Sequence, residues 1–293
     1  MKLFINDYRL SQQSKISNSF FDFLGFSNLF LAIAVCCSTF QGAFIFDNIA
    51  QPSFSFAILN FAAAFFLYNL QRVYQSTLPT TDHRLHWYRR NKKWIFTLAI
   101  LFVFGFWEVV WSIFMTYREG IFVYSICAFL SLLYFLPPLN LRKVKFVKQF
   151  AIAFVWVTVC IVIPFMFHDN EFTGIRAFTK DEWLYVISQF CFIAALCIPF
   201  DIRDYVKDKE EGTQSFPVSI GIKNSKRVAI GLMLIYFILS FFIEVRSLIV
   251  IRGLIFLVTV IVITQANEKR HPYYFVYLTD GIIILQTLLL YVL

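Results

Sequence analysis

The sequence predicts an all-α fold: a polytopic membrane bundle of nine transmembrane helices, built as a single domain over residues 1–293. Composition is the first reason. Hydrophobic residues make up 59% of the chain and charged residues only 15%, against about 25% charged in soluble domains. With a mean hydropathy of +0.68, the chain has too little charge to cover a water-exposed surface. The second reason is a set of nine apolar runs, each near the roughly 20 residues that cross a bilayer as helix. The third is how Lys and Arg are shared among the segments between those runs.

The runs fall at about 20–46, 53–74, 93–116, 120–138, 149–167, 183–200, 228–243, 247–266 and 273–293. Lys2, Arg9 and Lys15 precede the first. Arg72, Arg84, Arg89, Arg90, Lys92 and Lys93 lie between the second and third. Arg142, Lys143, Lys145 and Lys148 lie between the fourth and fifth, and Arg203, Lys207, Lys209, Lys223, Lys226 and Arg227 between the sixth and seventh. Lys269 and Arg270 lead into the ninth. Of 26 basic residues, only Arg118, Arg176, Lys180, Arg246 and Arg252 belong to the other side. Positive charge marks cytoplasmic loops. The N-terminus is therefore expected in the cytoplasm and, after nine spans, the C-terminus outside, in a cytoplasmic or inner membrane. No gap between runs can hold a soluble domain. The first run is too long for the apolar part of a cleavable signal peptide. The net charge of +8 follows from the same bias. Basic residues in short loops beside spans suit the lipid bilayer surface or a phosphorylated substrate, and give no argument for nucleic acid.

Cysteine and histidine add little. Cys36, Cys37, Cys127, Cys160, Cys191 and Cys197 lie inside apolar runs, and none forms a CxxC pair. They read as small packing residues rather than disulfide or zinc ligands. His83, His86, His168 and His271 lack ligand spacing.

The sharpest feature is Asp201-Ile202-Arg203-Asp204-Tyr205-Val206-Lys207-Asp208, directly after the sixth run. Carboxylates at i, i+3 and i+7 share one helix face. Like charges repel, so such a face either gathers a cation or is a solvated loop. At the mouth of a membrane helix, a hard divalent ion is suited to holding a diphosphate whose greasy tail lies in the bilayer.

Continued through Glu210-Glu211-Gly212, Ser215-Phe216-Pro217-Val218 and Gly221, this stretch resembles the second aspartate-rich motif of the UbiA family of intramembrane prenyltransferases. Tyr134-Phe135-Leu136-Pro137-Pro138-Leu139-Asn140-Leu141-Arg142 resembles that family's Tyr-Ser-Pro-Pro-Leu-Arg-Leu-Lys turn between spans four and five. The resemblance implies a UbiA-like bundle in which two aspartate motifs, after spans two and six, hold Mg²⁺ against a polyprenyl diphosphate. It further implies that the allylic group passes to an aromatic or lipid acceptor, with metal and basic side chains stabilising the leaving diphosphate. On that basis Asp201, Asp204 and Asp208 are expected metal ligands, and Arg203 and Arg142 expected diphosphate contacts.

The first motif departs from the family pattern. Asn69 is kept, but Leu70, Val73 and Thr77 stand where aspartates are expected, and Leu and Val cannot coordinate Mg²⁺. Asp82 is a possible substitute from the next loop. Arg72 shares a face with Asn69 at i, i+3. It either clamps the diphosphate directly through its fork of N–H donors or snorkels to lipid headgroups. Asn69 and Arg72 are therefore expected at the diphosphate.

Three polar residues lie inside runs. Glu108 is expected to face the bundle, in a structural hydrogen bond. Asp280 either supports the polar chamber or packs as a helix carboxylate, and Asn28 is an inward polar candidate. The 38 Phe residues discriminate nothing. The leading function is Mg²⁺-assisted prenyl transfer from a prenyl diphosphate to a hydrophobic acceptor. A non-catalytic isoprenoid- or quinone-binding protein is the alternative. A transporter predicts broken mid-membrane helices and repeats, and neither is evident in the sequence.

Overall fold

The computed structural model describes residues 19–46, 50–77, 83–116, 118–135, 144–166, 177–245 and 247–292. Among these residues every regular element is a helix. In chain order they are α1 (Ser19–Phe26), α2 (Leu29–Ile45), α3 (Ala50–Ser76), α4 (His83–Gly105), α5 (Trp107–Thr116) and α6 (Arg118–Phe135). Then follow α7 (Val147–Met166), α8 (Lys180–Arg203), α9 (Tyr205–Glu210), α10 (Phe216–Ile220), α11 (Ile222–Leu239), α12 (Ser247–Gln265) and α13 (Tyr274–Tyr291).

Among the described residues six helices are long and apolar enough to cross a membrane alone, and up to eight spans result if each of two bent pairs counts as one. Ile121–Phe135 is a shorter apolar helix. Each of the nine expected runs is helical where it is described, but the six to eight candidate spans do not establish the expected count of nine, and the sequence reading missed both bends. The first, of 58°, separates α1 from α2. It centres on Asn28, which adopts a left-handed conformation (φ 63°), a state that Asn tolerates better than most residues. The second, of 55°, separates α4 from α5 at Gly105-Phe106, where glycine weakens the helix. Glu108 therefore opens α5 rather than sitting mid-span. It is exposed at the helix N-terminus, where a carboxylate suits the dipole. The expectation that it faces the bundle is corrected.

α8 is the central helix. Its most apolar stretch is 67% buried, more than that of any other span. Thr179 starts it with a capping box: its Oγ1 accepts from the Glu182 N–H (3.3 Å) while its own N–H donates to Glu182 Oε2 (2.8 Å). Ala194 and Ala195, both fully buried, let neighbouring backbones approach. α8 packs on α7 and α11, α2 packs on α3 and α13, and α12 joins α11 to α13. A Cβ at Gly42 of α2 would collide with the Phe165 ring of α7, so glycine permits that crossing. Large apolar side chains such as Phe104, Phe122, Val250 and Leu257 are exposed, as expected where lipid is the solvent.

Two helices carry π turns: Thr158–Val162 in α7 and Tyr274–Thr279 at the start of α13. Each stands near a proline, Pro164 and Pro272, which cannot donate to the helix ladder. The loosened Val159 carbonyl accepts from Asn60 Nδ2 (2.8 Å), which ties α7 to α3. All six cysteines are free thiols, buried or half-buried, as packing residues would be.

Candidate functional site

At one end of the bundle, five helix ends converge on a cavity of about 180 Å³. The last turns of α3 bring Gln71, Arg72 and Gln75 to it, and the first turn of α4 brings Arg84. The first turn of α7 supplies Lys148. The last turn of α8 supplies Asp201 and Arg203, with Asp204 just beyond, and α13 supplies Asp280. Basic and acidic groups gather here because the helices end here, so each side chain reaches polar surroundings within a turn of an apolar span.

The ion pairs are specific. Lys148 Nζ lies 2.5 Å from Asp201 Oδ1 and 3.3 Å from Asp208 Oδ2, and all three side chains are at least 90% buried. Arg203 chelates its neighbour Asp204 through Nε and Nη2, both at 2.8 Å. Arg84 Nη2 approaches the same carboxylate at 3.4 Å. Burial opposes ionisation of Asp204. The charge and hydrogen bonds of Arg203, then the charges of Arg84 and Lys148, outweigh it and hold the carboxyl well below the usual carboxylate range. The Arg203 guanidinium also lies over the Phe200 ring, 5.0 Å from its centroid.

The one-face triad expected from the i, i+3, i+7 spacing is split. α8 ends at Asp204, whose backbone (φ −89°, ψ 7°) leaves the helical region, and α9 starts beyond it. Asp201 and Asp204 line the cavity, whereas Asp208 is fully buried behind Lys148 and is absent from the lining. Among the described residues no three His, Cys, Asp or Glu side chains converge closely enough to hold an ion by themselves. Asp201 Oδ2, however, is buried without a hydrogen-bond partner. Mg²⁺ is commonly held by one or two carboxylates with phosphate oxygens completing the shell. Asp201 and Asp204 fit one such ion. Among the described residues the expected first-motif positions offer no carboxylate for a second: Leu70 and Val73 have no oxygen in their side chains, and Thr77 Oγ1 donates to the Tyr74 carbonyl at 2.8 Å.

Asn69 is placed behind the cavity wall rather than in it. Its Nδ2 donates to the Ser27 carbonyl (3.0 Å) and the Phe65 carbonyl (2.7 Å), and its Oδ1 accepts from Asn28 Nδ2 (3.3 Å). It pins the α1–α2 bend to α3. Arg72 does reach the cavity, with Nη1 donating to Gln75 Oε1 at 3.4 Å. Arg142, Asn140 and Asp82 lie outside the described residues. Sequence reasoning treated Arg84 and Lys148 only as loop charge. Their signal was weak: each is one of several cations in a basic stretch, in the first turn of a helix that starts beside the motif only in three dimensions.

Beneath the charged cavity lies an apolar one of about 300 Å³ between α3, α6 and α7. Leu67, Leu130, Val155 and Val159 line it. Tyr68, Gln71, Tyr134, Ile152 and Trp156 border both cavities, so the two adjoin. Tyr68 and Trp156 fix each other there, the indole N–H donating to the phenol oxygen at 3.0 Å.

A helical membrane bundle with a charged mouth over an apolar chamber is the class that the fold and cavity define. No protein-family model matches the sequence, and no curated protein matches it either. Solved structures do match in fold. A UbiA homolog from Archaeoglobus fulgidus, bound to DMAPP and Mg²⁺, superposes with a TM-score of 0.61 at 16% identity, covering 92% of this chain and 98% of that one. A UbiA homolog from Aeropyrum pernix K1 gives 0.58 at 14% identity, covering 94% and 98%. A digeranylgeranylglyceryl phosphate synthase gives 0.52 at 15% identity, covering 92% and 96%. The chain therefore has the UbiA fold, as its second aspartate motif implied.

Proposed function

We propose that this protein binds a polyprenyl diphosphate in the charged mouth and transfers the prenyl group to a hydrophobic acceptor within the membrane. The observation that carries this reading is a pair of adjoining cavities: cations and three carboxylates line one, and mostly apolar side chains line the other. An amphiphile with an anionic head and an isoprenoid tail matches both halves. The matching folds of structures bound to DMAPP and to GPP, each with Mg²⁺, support it.

Arg72, Arg84, Lys148 and Arg203 bind the diphosphate oxygens, and Arg142, which lies outside the described residues, is a further contact that the family resemblance implies. Guanidinium forks suit phosphate. Asp201 and Asp204 would hold one Mg²⁺, which would supply positive charge against the leaving diphosphate. Asp208 keeps Lys148 in place, and Asn69 keeps α3 aligned with the α1–α2 bend. Tyr68, Trp156 and the apolar walls exclude water from the reacting carbon. Arg72 stands in for the missing first motif. The charged mouth faces the cytoplasm.

The test is direct. Purified protein in lipid nanodiscs is titrated with geranyl and geranylgeranyl diphosphate, with and without Mg²⁺, and screened for prenylated products by mass spectrometry. Saturable, Mg²⁺-enhanced binding and product formation are expected. Binding without product would favour the non-catalytic isoprenoid-binding alternative, and absence of binding would defeat both.

A further inference from the structure

The end of the bundle opposite the charged mouth holds a second concentration of buried polar groups. Arg252 of α12 is fully buried there. Its guanidinium lies over the rings of Tyr185 (α8) and Tyr236 (α11), 5.2 and 5.0 Å from their centroids. Its Nε, Nη1 and Nη2 all lack an acceptor, and the buried Tyr236 hydroxyl lacks a partner as well. The titratable groups that face Arg252 are those two phenols; among the described residues no carboxylate pairs with it.

Five helices place a polar side chain at this level. Gln41 (α2), Tyr185, Tyr236, Arg252 and Gln286 (α13) each stand three to five residues inside the helix end farthest from the charged mouth, a depth of roughly 5–8 Å at 1.5 Å per residue. All five are fully buried. One side of the layer is closed by hydrogen bonds. Tyr185 Oη donates to Gln41 Oε1 (3.4 Å), and Gln41 Nε2 donates to Thr287 Oγ1 (2.8 Å), which ties α8 and α13 to α2. The other side, at α11 and α12, keeps the guanidinium and the Tyr236 hydroxyl as unmet donors.

The two ring faces offset part of the cost of burying a cation. They accept none of its in-plane N–H groups, and an unpaired buried charge is costlier than any neutral polar group. A guanidinium does not escape by losing its proton. The missing partner is therefore an anion. Its charge should be single, to match one cation, because desolvating a second charge would go uncompensated. Its size should be near that of one water, about 30 Å³, since Arg252 lines neither of the two cavities.

We propose that Arg252 and Tyr236 form a structural site for a small monovalent anion of the halide class, which enters from the membrane face opposite the charged mouth. The ion accepts from the Arg252 N–H groups and from the Tyr236 O–H. It thereby joins α12 to α11 beside the hydrogen-bonded half of the layer. The site is independent of the donor reading and stands whether or not the protein transfers a prenyl group.

The experiment melts the full chain in detergent at constant ionic strength while sodium gluconate is exchanged for sodium chloride. Wild type should show a saturable rise in Tm, of about 5–10 °C when chloride reaches about 100 times its Kd. Arg252→Met should show no chloride-dependent shift. Tyr236→Phe keeps the ring and removes the hydroxyl, and should move the chloride midpoint up by about 10-fold or more. Crystals grown in bromide should carry an anomalous peak at the guanidinium, so wild type alone decides the matter if Arg252→Met does not fold. Equal wild-type Tm in chloride and gluconate overturns the proposal. So does the same chloride shift in Arg252→Met, an unmoved midpoint in Tyr236→Phe, or a bromide map without the peak, which would leave water as the partner of Arg252.

Discussion

Replacing Lys148 with Met tests the electrostatic centre of the site. Its ammonium lies 2.5 Å from Asp201 and 3.3 Å from Asp208, and the two carboxylates are 1% and 0% exposed. At an effective dielectric of about 20, these separations give attractions of roughly 6.6 and 5 kcal/mol. Desolvating three charges offsets most of that, so the pair contributes little net stability relative to apolar packing. Removing the cation alone is different, because two buried acids then face each other uncompensated. The expected loss is about 3–5 kcal/mol. For a chain of this size that lowers Tm by roughly 6–20 °C. Thermal unfolding in detergent, followed by reaction of the buried cysteines with a fluorogenic thiol probe, reads it out. Adding Asp201→Asn and Asp208→Asn to Lys148→Met should restore most of the loss. A single mutant within about 0.5 kcal/mol of wild type would refute the reasoning, since only a solvated, surface-type ion pair behaves that way.

Four further outcomes are expected. Arg72→Ala should weaken prenyl diphosphate binding by about 10- to 100-fold, the worth of a charge-assisted hydrogen bond of roughly 1.5–3 kcal/mol, and Arg72→Lys should rescue only part of it in isothermal titration. Asp204 is held low by Arg203, so its contribution is fully present above the ordinary aspartate pKa of about 3.9 and is lost as pH falls through the depressed value. Asp204→Asn should therefore be less stable than wild type at pH 7, and the two should converge only in strong acid. Arg252 is fully buried in α12 between the Tyr185 and Tyr236 rings, at 5.2 and 5.0 Å, with all three guanidinium nitrogens lacking hydrogen-bond acceptors. Arg252→Met should raise stability by about 1–4 kcal/mol, read as an increase in Tm. Reporter fusions after Asn91, Asn170 and Asn224 should read inside, outside and inside; an inside reading at Asn170 would overturn the charge-based topology.

The membrane class and the approximate helix positions were legible in the sequence, because both depend on local properties: apolar length and the charges beside it. The second aspartate motif was legible for the same reason, as a contiguous run of residues. What the sequence could not give was pairing. Lys148 and Asp208 are separated by 60 residues and meet only because α7 begins where α8 ends. Asp201 and Asp208 looked equivalent to Asp204 on an ideal helix. A break of one residue at Asp204 sends Asp208 behind the wall and leaves Asp204 to Arg203 and Arg84. Asn69 read as a diphosphate contact because it is the one residue kept from the first motif, while its three hydrogen bonds became visible only once the Asn28 bend lay against α3. Asp280 was ambiguous for a further reason: its direction is set by the π turn before it, and a helical wheel drawn at 3.6 residues per turn assumes that no such turn exists. Periodicity and composition thus determined which segments cross the membrane. Tertiary contact between helix ends, together with two bends and two π turns, decided which side chains share the chamber.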